Sequence, residues 1–128
     1  MLTFQQVFLM SGALFGFLGV SAGAFGAHVL KSKLAVSQLE IFEVAVRYQM
    51  YHALILVGVS LLLSVYSSVW FNVAGWAFLV GTLIFSGSLY LLVYTGIKWW
   101  GAITPIGGVF LVLGWLSILI GAFFHRSF

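Results

Sequence analysis

The chain predicts an all-α fold: a polytopic membrane protein built as an antiparallel four-helix transmembrane bundle, with an amphipathic lead-in to its second span. Three observations predict it. Apolar residues form 63% of the 128-residue chain and charged residues 5%, with a mean hydropathy of +1.21; a soluble domain carries about 25% charged residues. Five of the seven charged side chains (Lys31, Lys33, Glu40, Glu43 and Arg47) fall in one short stretch, and the others are Lys98 and Arg126. The chain has room for about four predominantly apolar spans of about 20 residues each, enough to cross a hydrocarbon core about 30 Å thick. The reading is one integral membrane domain, 1–128, with spans near 4–30, 46–66, 69–95 and 105–124.

Span one starts without Lys or Arg in residues 1–6, and its apolar run outlasts the h-region of a signal peptide, so it reads as a retained span. Gly12, Gly16, Gly19, Gly23 and Gly26 alternate steps of four and three, which returns each to one helix face. In lipid such small-residue seams let a neighbouring backbone approach closely. Packing within the chain is expected, with a homo-oligomer contact as the alternative.

Ser37 followed by Glu40 has the form of a capping box, which starts a helix at Gln38. Nothing breaks that helix before Gly58, and its apolar character continues to Tyr66. At 1.5 Å per residue it would be about 43 Å long, so its first turns must lie in the headgroup region. There Glu40, Glu43 and Arg47 share one face, and Glu43–Arg47 is spaced for an ion pair. Ser68 suits the N-cap of span three, Gly96 its end, and Thr104-Pro105 the N-cap and first position of span four. Gly107, Gly114 and Gly121 repeat every seven residues as a second packing face. Trp99 and Trp100 suit the interfacial aromatic belt.

With four spans, both termini lie on one side. The first and third connections hold Lys31, Lys33, Arg47 and Lys98, against Arg126 at the other end. Positive charge concentrates on cytoplasmic connections, so both termini are expected outside. The net charge of +3 is therefore a topology signal, and no nucleic-acid partner is expected.

This placement gathers polar residues in one leaflet: His28, Glu43, Arg47, Gln49, Tyr51, His52, Ser86, Ser88 and Thr104, with Tyr48 and Tyr90 nearby. Polar groups at membrane depth usually face the bundle interior, and His52 is expected to face other helices. The charged face is expected to lead into Gln49 and His52 and to look across the bundle at His28. Chemistry is harder to read. The chain has no Cys and no Asp, which removes thiol chemistry and an Asp-based triad. HxxH, ExxH, HExxH, Walker and GxSxG patterns are missing, so no catalytic residue, metal or cofactor is expected.

Four strings occur in order: Ser-Ala-Gly-Ala-Phe-Gly-Ala-His at 21–28, Ala-Val-Arg-Tyr-Gln-Met-Tyr-His-Ala at 45–53, Phe-Ser-Gly-Ser-Leu-Tyr at 85–90 and Ile-Thr-Pro-Ile-Gly-Gly at 103–108. Together they resemble domain-of-unknown-function family 423, small bacterial inner-membrane proteins related to eukaryotic transmembrane protein 256. The resemblance implies a four-span membrane protein with no established activity and no catalytic residues to carry over.

Two functions compete. One is a non-enzymatic structural or accessory protein whose partners are membrane lipids, a homo-oligomer or a larger membrane complex. The other is binding or transport of a lipid, quinone or ion through the polar cluster in the cytoplasmic leaflet.

Overall fold

The computed structural model describes residues 1–125; Arg126, counted above in the charge balance, lies outside the described residues. Four helices follow one another: α1 (Phe4–Leu30, π-helical over Ala22–Gly26), α2 (Val36–Val65), α3 (Val69–Thr95) and α4 (Trp99–Phe124). Each is long and apolar enough to cross a membrane. The connections at 31–35, 66–68 and 96–98 are short, which forces successive helices antiparallel. Gly96 ends α3 in the left-handed region (φ 69°), where a Cβ would be strained, and its N–H bonds to the Leu92 carbonyl at 2.9 Å. Ser68 occupies the N-cap position of α3, although its side chain makes no capping bond.

Two helix starts differ from expectation. The second helix begins at Val36, not Gln38, because Gln38 Oε1 accepts from the Ala35 N–H at 3.1 Å and holds an earlier first turn. Lead-in and span two are one continuous helix of 30 residues, about 45 Å. The fourth helix begins at Trp99, so Thr104 and Pro105 lie inside it. Thr104 does not cap. Its hydroxyl donates to the Trp100 carbonyl one turn back at 3.3 Å and lies 2.6 Å from the Ser88 hydroxyl. Proline is tolerated within a transmembrane helix where neighbours re-satisfy the freed backbone.

Packing follows the glycines. The α1 seam faces α2: a methyl added at Gly12 would come 2.8 Å from the Ala53 carbonyl oxygen, and one at Gly19 2.5 Å from Met50 Sδ. Farther along, Gly16 meets Ala53, Gly23 meets Val46 and Gly26 meets Phe42. Between α3 and α4 the register is a double heptad. Gly107, Gly114 and Gly121 lie against Phe85, Phe78 and Phe71, two seven-residue repeats running in opposite directions. At Gly107 the neighbour is the Phe85 backbone nitrogen itself. Phe8 of α1 fills the space left by Gly75 of α3, and the core gathers Phe8, Phe15, Ala53, Leu56, Val59, Ala74, Phe78 and Leu111.

The bundle is open along one side. The backbone of α2 neighbours α1 and α3, whereas that of α4 neighbours α3 alone. A groove therefore runs between α2 and α4, with α3 as its floor.

Candidate functional site

Three groups of the sequence-predicted polar residues join one helix to another. In the first, Gln49 (6% exposed) ties three helices together. Its Nε2 donates to the Phe15 carbonyl of α1 at 2.8 Å, and its Oε1 accepts from the Tyr90 hydroxyl of α3 at 2.7 Å. One turn away, the Ser86 hydroxyl donates to the Ala45 carbonyl at 2.7 Å, bridging α3 to α2. Such bonds suit hydrocarbon surroundings, where an unpaired polar group is costly.

The second group is the Ser88–Thr104 hydroxyl pair between α3 and α4.

The third is His52 on α2, buried among aromatic rings. Its Nδ1 lies 2.6 Å from the Tyr48 carbonyl and its Nε2 3.2 Å from the Trp115 indole nitrogen on α4. A carbonyl can only accept and an indole N–H can only donate, so these partners assign a neutral imidazole protonated at Nδ1. This bond crosses the groove, joining helices whose backbones do not meet. Phe78 packs beside both rings, 5.5 Å from His52 and 5.2 Å from Trp115 between centroids. The groove, about 630 Å³ in volume, is walled by Tyr48, Tyr51, His52, Val112 and Trp115 with Phe85 on its floor.

The remaining sequence-predicted residues lie elsewhere. His28 is exposed on the last turn of α1, outside the three groups. Glu40, Glu43 and Arg47 are exposed on α2, while Gln49 and His52 are buried, so the charged face does not continue into them. The expected Glu43–Arg47 ion pair does not form. Both groups reach solvent, where an exposed pair gains little over hydration. Tyr51 is exposed along the groove wall. Among the described residues no three His, Asp or Glu side chains converge as metal ligands would.

Sequence reasoning passed over Trp115, because a tryptophan within an apolar span gives no sign of its partner. It also passed over a polar pair at the connection-two end of the bundle. There Gln5 Nε2 donates to the Leu63 carbonyl at 2.6 Å, and the Ser60 hydroxyl donates to the Gln5 carbonyl at 2.8 Å.

The description "protein of unknown function (DUF423)" belongs to a family that matches residues 22–108, from the π-helical turn of α1 to the glycine face of α4. The chain belongs to that family. The UPF0382 membrane protein SSP2132 of Staphylococcus saprophyticus is 47% identical over 119 residues, covering 93% of this chain and 98% of that protein. The UPF0382 membrane protein YwdK of Bacillus subtilis is 42% identical over 119 residues, covering 92% and 97%. A UPF0382 membrane protein of Staphylococcus epidermidis is 47% identical over 116 residues, covering 91% and 94%. No solved structure matches the chain. This DUF423 protein is thus a multi-pass membrane protein of a family with no named catalytic activity. The matched stretch includes His28, Arg47, Gln49, His52, Ser86, Ser88 and Thr104, while Trp115 lies beyond it.

Proposed function

We propose that this DUF423 protein is a non-catalytic accessory protein of the bacterial inner membrane, multi-pass, with connections one and three cytoplasmic and both termini outside. Its partners are membrane lipids and, through its helix faces, a second copy or a larger membrane complex. One observation carries the reading: the buried side chains of His52, Gln49, Ser60 and Ser86 are committed to the fold. Both ring nitrogens of His52 are engaged, Ser86 and Ser60 donate to carbonyls, and Gln49 and Tyr90 bond to each other. Among the described residues no serine is left with a base to activate it.

A second reading rests on the α2–α4 groove. Its volume of about 630 Å³ and its wall of Tyr48, Tyr51, His52 and Trp115 suit the ring of a membrane-soluble molecule such as a quinone.

One experiment separates the two. Gln49→Leu, His52→Ala and Tyr51→Ala are introduced into cells lacking the gene, and each purified variant is melted in mild detergent. For an accessory protein, loss of the cellular phenotype tracks loss of thermal stability. A Tyr51→Ala protein of wild-type stability that fails in cells, together with a quinone adduct in native mass spectra of wild type only, would sink the accessory reading in favour of the groove.

A further inference from the structure

At the connection-one end of α2, Glu43 and Arg47 present an unresolved pair of opposite charges. Both are exposed, no ion pair joins them, and both line one hollow of about 220 Å³. Val46 and Phe42 of α2 and Gly23 and Ala27 of α1 complete the lining. The α1 wall of this hollow is the π-helical turn Ala22–Gly26, closed by an N–H from Ala27 to the Ala22 carbonyl. A π-turn is wider than an α-turn and recurs at functional sites. Space there is limited: a methyl at Gly23 would come 3.1 Å from Val46 Cγ1.

Depth and polarity suggest what fits. The 30-residue α2, about 45 Å long, exceeds the hydrocarbon thickness by about 15 Å, so its first turns lie among headgroups. The helix runs inward from connection one, which places Arg47 about 6 Å deeper than Glu43. A phospholipid headgroup with a terminal primary amine has the matching order. Its phosphate sits next to the glycerol, and its ammonium lies farther out. Arg47 suits the phosphate, which guanidinium recognises through paired N–H donors. Glu43 suits an ammonium that can donate hydrogen bonds. A purely anionic headgroup leaves Glu43 facing like charge, and a quaternary amine has no N–H to give it.

We propose that Glu43, Arg47 and the π-turn of α1 form a binding site for a zwitterionic phosphoethanolamine headgroup, with phosphate on Arg47 and ammonium on Glu43. The site is separate from the α2–α4 groove and goes beyond the accessory reading, which requires no particular lipid.

The test uses the full-length protein in mild detergent, titrated with phosphatidylethanolamine, phosphatidylglycerol and phosphatidylcholine of identical acyl chains. Adducts are read by native mass spectrometry and the thermal midpoint is followed in parallel. Wild type should bind phosphatidylethanolamine most tightly and be stabilised most by it. Arg47→Gln should weaken that binding about tenfold, the loss of one charge-assisted contact. Glu43→Gln should lower phosphatidylethanolamine to the level of phosphatidylcholine while leaving phosphatidylglycerol undiminished. Both side chains are exposed, so the lipid-free midpoints should stay at the wild-type value. If either falls, the charge-exchanged protein Glu43→Arg/Arg47→Glu decides, because it keeps both charges but reverses their order and must lose the preference. Equal binding of the three lipids by wild type, tighter binding of phosphatidylglycerol, or a preference that survives the exchange would each overturn the site.

Discussion

Thr82 is 2% exposed, and its hydroxyl oxygen has no hydrogen-bond partner among the described residues. Tyr90, farther along the same face of α3, donates to Gln49 at 2.7 Å. Removing these two hydroxyls should therefore move stability in opposite directions. Thr82→Val deletes an unmet polar group and keeps the β-branched shape, a gain of about 1 kcal/mol. Tyr90→Phe keeps the ring and leaves Gln49 Oε1 without its donor, a loss of about 0.6 kcal/mol on the average measured inside a membrane bundle. Unfolding of each variant in mixed micelles gives the sign directly. A Thr82→Val protein destabilised as much as Tyr90→Phe would mean that the Thr82 hydroxyl has a partner after all.

At the level of helices, the α3–α4 contact depends on glycine, and neighbouring glycines should not be equivalent. A methyl at Gly107 runs into Phe85 backbone, which no rotamer change can relieve, whereas at Gly108 it would meet only ring carbons at 3.8 Å. Gly107→Ala should thus cost about 1–3 kcal/mol, the usual range for overpacking, and Gly108→Ala should melt close to wild type. Equal midpoints for the two would show that the helices part at no cost. The glycine repeat was legible in the sequence, whereas its partners Phe71, Phe78 and Phe85 emerged only from the packed helices. Nor was the start of α4 legible, because Thr104-Pro105 has the local form of a helix start. What fixes Thr104 inside the helix is Ser88, which lies on another helix. The same limit hid the candidate site. Gln49 and His52 stand out as polar residues in an apolar span, but the Trp115 indole that engages His52 is 63 residues away and becomes its neighbour only once α4 docks on α3.

Among the described residues the charged side chains gather at one end of the bundle. Connection one contains Lys31 and Lys33, connection three contains Lys98, and Arg47 is exposed a few turns into α2. At the other end, connection two is Tyr66-Ser67-Ser68, without charge, leaving only the α-amino group and Arg126 of the tail. Four helices return the chain to its starting side, so one reporter decides the whole topology. Basic residues in short loops resist translocation, and acidic residues such as Glu40 and Glu43 count for little. A phosphatase active only outside the cytoplasm should therefore be active when fused after Phe128, and a fluorescent reporter that folds only inside should stay dark. The cause can be tested by the same fusion. Lys31→Gln, Lys33→Gln and Lys98→Gln together reduce the difference to Arg47 against Arg126, and the population should then split between both orientations. A bright fluorescent fusion on the unaltered chain would reverse the orientation. The Glu43–Arg47 hollow would then face outward, its depth order unchanged, because that order is measured from the nearer surface of the bilayer and not from the cytoplasm.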